Sequence, residues 1–334
     1  MGIKNLSKLI KDFSPNCIKS IKLSDLKYKK IVLDASLIIY QYVIAIRSTG
    51  ADLLSDDGKI TTHILGIINK TVMLLNNNII PIYVFDGKAP SIKSDTLKSR
   101  KESKKKCIEN LKESNYENED DRIKDFKRSF TITKEQIGQV KEVLKYLGIP
   151  FLESTTEADP LCAQIVKQNY AYGVLSEDMD ILTFGSDRLI RGSVKKMTEI
   201  DRNTMLKDMN LDNEQFVDLC ILLGCDYTPT IPKIGPKKAY EMITKYKSIE
   251  EILKNEGNKY CIPENFNYKE AREMFSNTEI LKLNQNKFKI KKPNYNKFKE
   301  VMIDMYDFDL NTVNKYINKI KSYHNKVANS ELAV

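Results

Sequence analysis

Soft-metal ligands are scarce and poorly placed in this sequence. The only histidines are His63 and His324, and none of the six cysteines (Cys17, Cys107, Cys162, Cys220, Cys225, Cys261) forms a C-x-x-C pair. Zinc-ligand spacing is therefore missing. The cysteines outline no disulfide framework, so a reducing compartment is expected. No apolar run approaches the roughly 18 residues of a membrane span, so no membrane partner is expected. The opening Met1-Gly2-Ile3-Lys4-Asn5-Leu6 has Leu where a myristoylation signal has Ser or Thr. Lys4, Lys8, Lys11 and Asp12 interrupt the first apolar residues, so no secretory signal is expected. No G-x-x-x-x-G-K-[ST] occurs, which leaves a P-loop NTPase without support. Solenoid repeats are also missing.

What is present is length and positive charge. The chain has 334 residues, enough for one large α/β domain or two modest ones, and a formal charge of +9 from 54 Lys and Arg against 45 Asp and Glu. Lys and Arg release counterions when they neutralise phosphates, so a polyanionic partner is favoured. The competing reading is a merely soluble basic protein.

Residues 29–34 (KKIVLD) and 79–86 (IIPIYVFD) read as buried strands, each ending in an acid. Between them, 61–77 has apolar residues at helical spacing, and strand–helix–strand in that order predicts a parallel sheet. Further strands are expected at 149–152, 171–176 and 188–191, and helices at 134–147 and 157–168. From Lys88 to about Lys134 the character changes. A Lys/Arg-rich stretch at 88–112, the acidic NYENEDD and the basic RIKDFKRSF predict two charged helices around a turn, inserted into the α/β domain. By composition alone the usual reading of such charge runs is a solvated helical hairpin of no special role. Helices at 213–223 and 236–246 flank the turn TPTIPKIGPKK and predict a compact helical module. Residues 277–334 are rich in Lys and Asn, with helical patches whose packing is hard to read.

The sharpest signal is acidic. Asp34 and Asp86 end predicted strands, Glu157 and Asp159 open a helix, Asp178 and Asp180 follow a strand in SEDMDIL, and Asp226 follows a helix. Sites in open parallel sheets lie beyond the carboxyl ends of the strands, so separate segments are expected to deliver acids to one cleft. Acids gathered there stay ionised only with cations between them. Oxygen ligands suit Mg²⁺ or Mn²⁺, and two such ions can clamp the attacking water and the leaving oxygen of a phosphodiester. Each acid has a plainer alternative. Glu157 and Asp159, after Thr155 and Thr156, fit a capping box and helix-dipole acids, while Asp178 and Asp180 fit an Asx-turn.

A second feature is the turn Ile234-Gly235-Pro236-Lys237-Lys238-Ala239 between two helices. Gly235 permits close backbone approach, and Pro236 suits a first helical turn. The N–H groups of that turn, with Lys237 and Lys238, can hold a phosphate without reading sequence.

With these residues in view, the chain resembles the flap endonuclease family. The resemblance rests on MGIKNLSKLI, IVLDASLIIYQ, PIYVFDGKAP, TEADPLCA, SEDMDILTFGS and EQFVDLCILLGCDYTPTIPKIGPKKA, in that order, and covers roughly residues 1–275. The wider family includes excision-repair nucleases, a 5′ exonuclease and a junction resolvase. The short insertion at 88–134 fits flap endonuclease best.

The resemblance implies a central, mostly parallel sheet flanked by helices (a PIN-like nuclease core), an inserted helical arch and a helix-hairpin-helix module. It implies a nuclease region at 1–107 including the start of the arch, an internal nuclease region at 122–254, and a C-terminal region at 255–334. Asp34, Asp86, Glu157, Asp159, Asp178, Asp180 and Asp226 match the family's metal acids, for two Mg²⁺ that Mn²⁺ can replace. Lys93 and Arg100 match the basic pair that grips the scissile phosphate, and Tyr40 the aromatic that stacks on a base near the cut. Gly2 matches a residue near the site. Arg47, Leu53 and Thr61 match the region that receives a one-nucleotide 3′ flap, and Lys127 and Arg128 match arch residues along the threading 5′ flap. Gly224, Gly235, Lys237 and Lys238 are implied DNA contacts, with K⁺ at the helical turn. The implied activity is 5′ flap cleavage with 5′–3′ exonuclease activity in replication and long-patch base excision repair. The implied setting is a monomer in the nucleus, with the nucleolus and mitochondrion also used by the family.

Two departures stand out. Position 159 is Asp where the family usually has Glu, and Pro160 follows it. The family's Q-x-x-L-x-x-F-F motif for the sliding clamp and its basic nuclear signal are not found before the final SELAV, so a clamp partner is left in doubt. Two other readings stay open at this stage: a PIN-like RNA nuclease and a catalytically silent junction binder. The module at 213–246 counts against the first, and the seven acids count against the second.

Overall fold

The computed structural model describes residues 2–54, 58, 60–114, 116–276 and 283–328. Residues 277–282 and the final SELAV, which belong to the expected C-terminal region, lie outside the described residues. Seven strands occur among the described residues: β1 (Ile18–Ile21), β2 (Lys30–Asp34), β3 (Ile80–Phe85), β4 (Phe151–Glu153), β5 (Gly173–Leu175), β6 (Arg188–Ser193) and β7 (Lys196–Asp201). The chain divides into two compact units, each built from separated segments.

The first unit comprises Met1–Asp25, Gly87–Thr96 and Ser154–Leu283. Here β5 pairs parallel with β6, while β6 pairs antiparallel with β7 and β7 with β1. The strands of this unit thus mix parallel and antiparallel pairing. Two of them, β1 and β7, escape the apolar-run criterion. β1 reads Ile-Lys-Ser-Ile with both middle residues exposed, so no alternation marks a buried face. The same unit holds Asn213–Leu223 and Pro236–Tyr246, the two helices whose bounds match the expectation. The first is fixed at its start by a reciprocal capping box between Asp212 and Gln215. From Phe216 to Leu223 it is buried on every side, as suits a central helix. Its one buried acid, Asp218, is held by Arg272 at 2.7 and 2.8 Å, and Arg272 also binds Glu250.

The second unit comprises Leu26–Asp86, Leu97–Glu153 and Asn284–Val334. β2, β3 and β4 run parallel, with Asp34 opposite Val84. Helices Ala35–Arg47 and Thr62–Asn76 pack together beside them. The helix Leu310–Ala328 closes this unit with a stripe of Val313, Ile317, Ile320 and Tyr323 at helical spacing, all buried. Burying each such apolar side chain contributes roughly 1.5–3 kcal/mol. Tyr316 on the same helix donates a hydrogen bond to Asn69 at 2.9 Å. The charged insertion forms Ser94–Glu113 and Glu119–Ser129, two helices as expected.

Candidate metal centre and phosphate-binding elements

In the first unit, β5 ends at Leu175 and the chain turns through Ser176-Glu177-Asp178-Met179-Asp180. Ser176 Oγ accepts the Asp178 N–H at 3.0 Å, and Asp178 Oδ1 accepts the Asp180 N–H at 3.1 Å. The Asx-turn alternative is therefore real, and it is also what aims Asp180 inward. Asp180 is 3% exposed. Its carboxyl is pushed up to about 8, first by burial and then by the Asp178 charge, with Asp226 adding to it while Lys93 and the Ile3 N–H oppose. The backbone of Gly2 lies against both acids in a left-handed conformation, φ +79°, and a Cβ there would fall 2.0 Å from Asp178 Oδ1. Only glycine fits.

Asp180 Oδ1 is buried and accepts no hydrogen bond among the described residues. A buried carboxylate oxygen without a donor, repelled by its neighbours, is stable as an anion only beside a cation. The donors nearby are oxygens, which suits a hard divalent ion. The soft alternatives are remote in chemistry. Cys220 and Cys225 have thiols raised by burial, and His63 lies in the other unit, bound to Gln139. The acids fit the ion in kind. As they stand, however, no three Asp, Glu, His or Cys side chains among the described residues are gathered tightly enough to hold one.

A lysine stands among them instead. Lys93 ends a short 3₁₀ turn, Ser91–Lys93, and is 7% exposed. Its ammonium is 2.8 Å from Glu157 Oε1, 3.6 Å from Asp226 Oδ2 and 4.7 Å from the centre of the Tyr227 ring. Burial works against its charge, but Glu157, Asp226 and Asp180 outweigh it and hold the ammonium firmly protonated. Glu157 is the N-cap residue of Ala158–Lys167 but makes no side-chain capping bond. The capping-box alternative for it is thereby removed. Its second oxygen, Oε2, accepts from the Tyr227 hydroxyl at 3.0 Å. Burial and then the Glu157 charge raise the Tyr227 phenol far above its usual range, so it acts only as a donor. Tyr227 was not visible as a site residue from the sequence. The signal that could have found it is its place directly after Asp226. Asp159 sits in the first turn of the same helix as Glu157.

Asp226 follows Gly224, whose φ of +109° ends the central helix and whose carbonyl accepts the Lys4 N–H at 3.1 Å. Thr96, in the first turn of the Ser94–Glu113 helix, donates to the Asp226 carbonyl at 3.1 Å. At the phosphate-binding turn, Gly235 is an extended N-cap and Pro236 opens the helix. Gly235, Lys237 and Lys238 are exposed, and Lys238 lies over the Tyr260 ring.

In the second unit, Asp34 ends β2 and caps the following helix, its Oδ1 accepting the Leu37 N–H at 3.0 Å. Asp86 follows β3 and is exposed. The register of Asp34 with Val84 puts both acids at the carboxyl ends of adjacent strands. Tyr40 packs edge-on against Phe130, with ring centres 5.3 Å apart. Leu53 is exposed, Thr61 is buried with its N–H on the Leu53 carbonyl, and Arg100 and Arg128 are exposed while Lys127 is half-buried. Arg47, expected in the region of a 3′ flap, is engaged within the protein. It is 7% exposed, forms a two-bond pair with Asp52 at 2.8 and 2.7 Å, and donates to the Phe126 carbonyl and Ser129. Its guanidinium also stacks on Phe126 and Phe130. Asp52 is a local partner, but Phe126 and Ser129 lie 79 and 82 residues away, which sequence spacing does not show. In this structure Arg47 pins the second inserted helix.

The chain is matched by the XPG N-terminal domain at residues 1–107 and by the XPG I-region at residues 148–226. Flap endonuclease 1 of Entamoeba dispar is 38% identical over 340 residues, 99% of this chain and 90% of that protein. Flap endonuclease 1 of Drosophila yakuba is 42% identical over 288 residues, 84% of this chain and 74% of that protein. Among solved structures, flap endonuclease-1 from Methanococcus jannaschii superposes with a TM-score of 0.71 at 27% identity, covering 92% of this chain and 97% of that one. Two more distant structures share the fold. The catalytic core of Rad2 in complex with DNA substrate has a TM-score of 0.72 at 20% identity, covering 96% of this chain and all of that one. The Holliday junction-resolving enzyme GEN1 in complex with product DNA and Mg²⁺ has a TM-score of 0.63 at 19% identity, covering 98% and 81%. Near-full-length identity at this level leaves one assignment: the chain belongs to the flap endonuclease 1 family.

Proposed function

We propose that this chain hydrolyses one phosphodiester of DNA at the base of a 5′ flap, using two Mg²⁺ ions held by its acids. The observation that carries the metal reading is the buried, donor-less oxygen of Asp180 beside Asp178 and Asp226. The proposed ligands are Glu157, Asp159, Asp178, Asp180 and Asp226, with Asp34 and Asp86 added by the family resemblance. When bound, such ions supply charge neutralisation and an activated water for in-line displacement. The chain's own residues do the rest. Lys93 and Arg100 donate to the scissile phosphate and stabilise its developing charge. Tyr227 keeps Glu157 oriented, and Tyr40 offers a face to the terminal base. Gly235, Lys237, Lys238 and the first N–H groups of Pro236–Tyr246 hold the duplex backbone without reading sequence, with K⁺ at that turn. Arg128 and Lys127 on the second inserted helix attract the flap. Exonuclease action at a gap or nick uses the same chemistry. The family's compartment, the nucleus, is the proposed place of action.

Cleavage-site mapping on a double-flap substrate, with and without Mg²⁺, tests the reading. Cutting just inside the first base pair, dependent on Mg²⁺, is expected. Preference for single-stranded RNA would overturn the substrate assignment. Asp180→Ala should bind flap DNA without cutting it, and near-normal cutting would remove the metal assignment.

A further inference from the structure

Lys93 engages Glu157 and Asp226, two of the carboxylates proposed to bind a divalent ion. Its ammonium is in hydrogen-bond contact with one of these carboxylates and in ion-pair range of the other. Both oxygens of Glu157 are thereby engaged, Oε1 by Lys93 and Oε2 by Tyr227. The Tyr227 ring closes one side of the ammonium, and Glu157 and Asp226 face it from other sides. The lysine is therefore caged rather than projecting toward a ligand. Yet the chain around Lys93 is held by other bonds as well. Lys93 N–H bonds to the Pro90 carbonyl at 3.1 Å, and Thr96 is tied to the Asp226 carbonyl. Only the flexible four-carbon stem has to rotate for the ammonium to leave.

We infer that Lys93 is the resident counter-ion of the acidic cluster, which divalent ions displace, so that loading the site with metal is what frees Lys93 to meet the scissile phosphate. The inference rests on the metal reading above and adds an order of events to it. Two cations compete for the same carboxylates, so the ammonium weakens metal binding, and metal binding in turn drives the ammonium out. The coupling is reciprocal by thermodynamic necessity. Until the ions arrive, the acids are neutralised by a group that cannot activate water.

The test is Mn²⁺ binding by the full chain without DNA, read by the free-ion EPR signal, for the wild type, Lys93→Ala and Lys93→Arg. Removing the competing charge should tighten Mn²⁺ binding by about tenfold, within the usual span of coupling between linked sites. Lys93→Arg should stay close to the wild type. Tighter metal binding would accompany slower cleavage, a combination that a purely structural lysine does not give. Equal or weaker Mn²⁺ binding by a folded Lys93→Ala chain overturns the inference. If the wild type itself binds no Mn²⁺, the metal reading fails, which is a different result. Should Lys93→Ala not fold, the wild type supplies the answer through amine-acylation footprinting. Lys93 should react slowly in chelator and several-fold faster with saturating Mg²⁺. Unchanged or greater protection with Mg²⁺ would overturn the inference.

Discussion

The Tyr227 hydroxyl donates to Glu157 Oε2 at 3.0 Å while the face of the same ring lies 4.7 Å from the Lys93 ammonium, so one aromatic residue orients a carboxylate and its cation together. The two contacts separate cleanly in Tyr227→Phe, which keeps the ring and removes the hydroxyl. A hydrogen bond to a charged group is worth about 1.5–3 kcal/mol. Partial compensation by solvent leaves a loss of about tenfold in single-turnover cleavage, or about 1.4 kcal/mol. Affinity for flap DNA should change far less, because the hydroxyl meets only Glu157. A variant cutting at the wild-type rate would show that the Tyr227 hydroxyl does not set the position of Glu157 during cleavage.

Asp180 makes the metal-free fold less stable than it could be, because its charge is buried with no donor on Oδ1. Asp180→Asn removes that charge at nearly constant volume. The variant should therefore melt higher than the wild type in chelator, yet gain little from added Mg²⁺, whereas the wild type gains more. The two effects have opposite signs, so a general packing effect cannot mimic them. Equal Mg²⁺-induced shifts in melting temperature for both chains would remove Asp180 from the metal site.

Much of this was legible in the sequence where local chemistry is self-contained. Asp212 with Gln215 announces the start of the central helix, and Gly235-Pro236 the start of the next. The strand-end acids Asp34 and Asp86 followed from apolar runs with an abrupt polar stop. Legibility failed where tertiary contacts reassign a residue. Lys93 lies in a charge run that reads as solvated, but folds to 7% exposure. Arg47 lies in a stretch resembling a DNA-contact region, and its contacts with Phe126 and Ser129, about 80 positions away, left no trace in the sequence. The edge strand β1 has two exposed polar residues in four, so its pairing with β7 carried no signal of its own.

Arg272 ties three helices of the first unit through two acids, and Asp218, the buried one, depends on it. Burial holds the Asp218 carboxyl above its usual range even with the guanidinium bound, so that charge is poorly solvated when alone. Arg272→Ala should destabilise the chain by about 3 kcal/mol, the lower end for breaking a buried pair, since Arg272 itself is partly exposed. Adding Asp218→Asn to it should recover part of the loss. Urea denaturation of the two single variants and the double variant measures the coupling, and strict additivity would mean the pair does not act as one.

Acid should unfold the second unit through His63. Burial depresses its pKa below the ordinary 6.5, although Gln139 and the Glu135 charge pull the other way. A base kept neutral by the fold binds fewer protons folded than unfolded. The stability it lends is fully present above about pH 6.5 and is lost as the pH falls toward and through the lowered value. His63→Gln should therefore lose less stability than the wild type between pH 7.5 and about pH 5. Some slope should remain, because His324 is shifted the same way by burial. Parallel stability curves for the two chains would show that His63 titrates normally.

Lys237 and Lys238 are exposed at the first turn of an eleven-residue helix whose N-cap is Gly235, so their charges add to the N–H groups that turn leaves open. Each phosphate neutralised contributes about 0.9 to the slope of log affinity against log salt. The double change Lys237→Ala, Lys238→Ala should flatten that slope by about 1–2 and weaken binding at low salt. The loss should be the same for flap substrates of unrelated sequence, because phosphate contacts carry no base information. An unchanged salt slope would place the backbone-gripping surface elsewhere, and a loss that varied with sequence would mean that this turn reads bases.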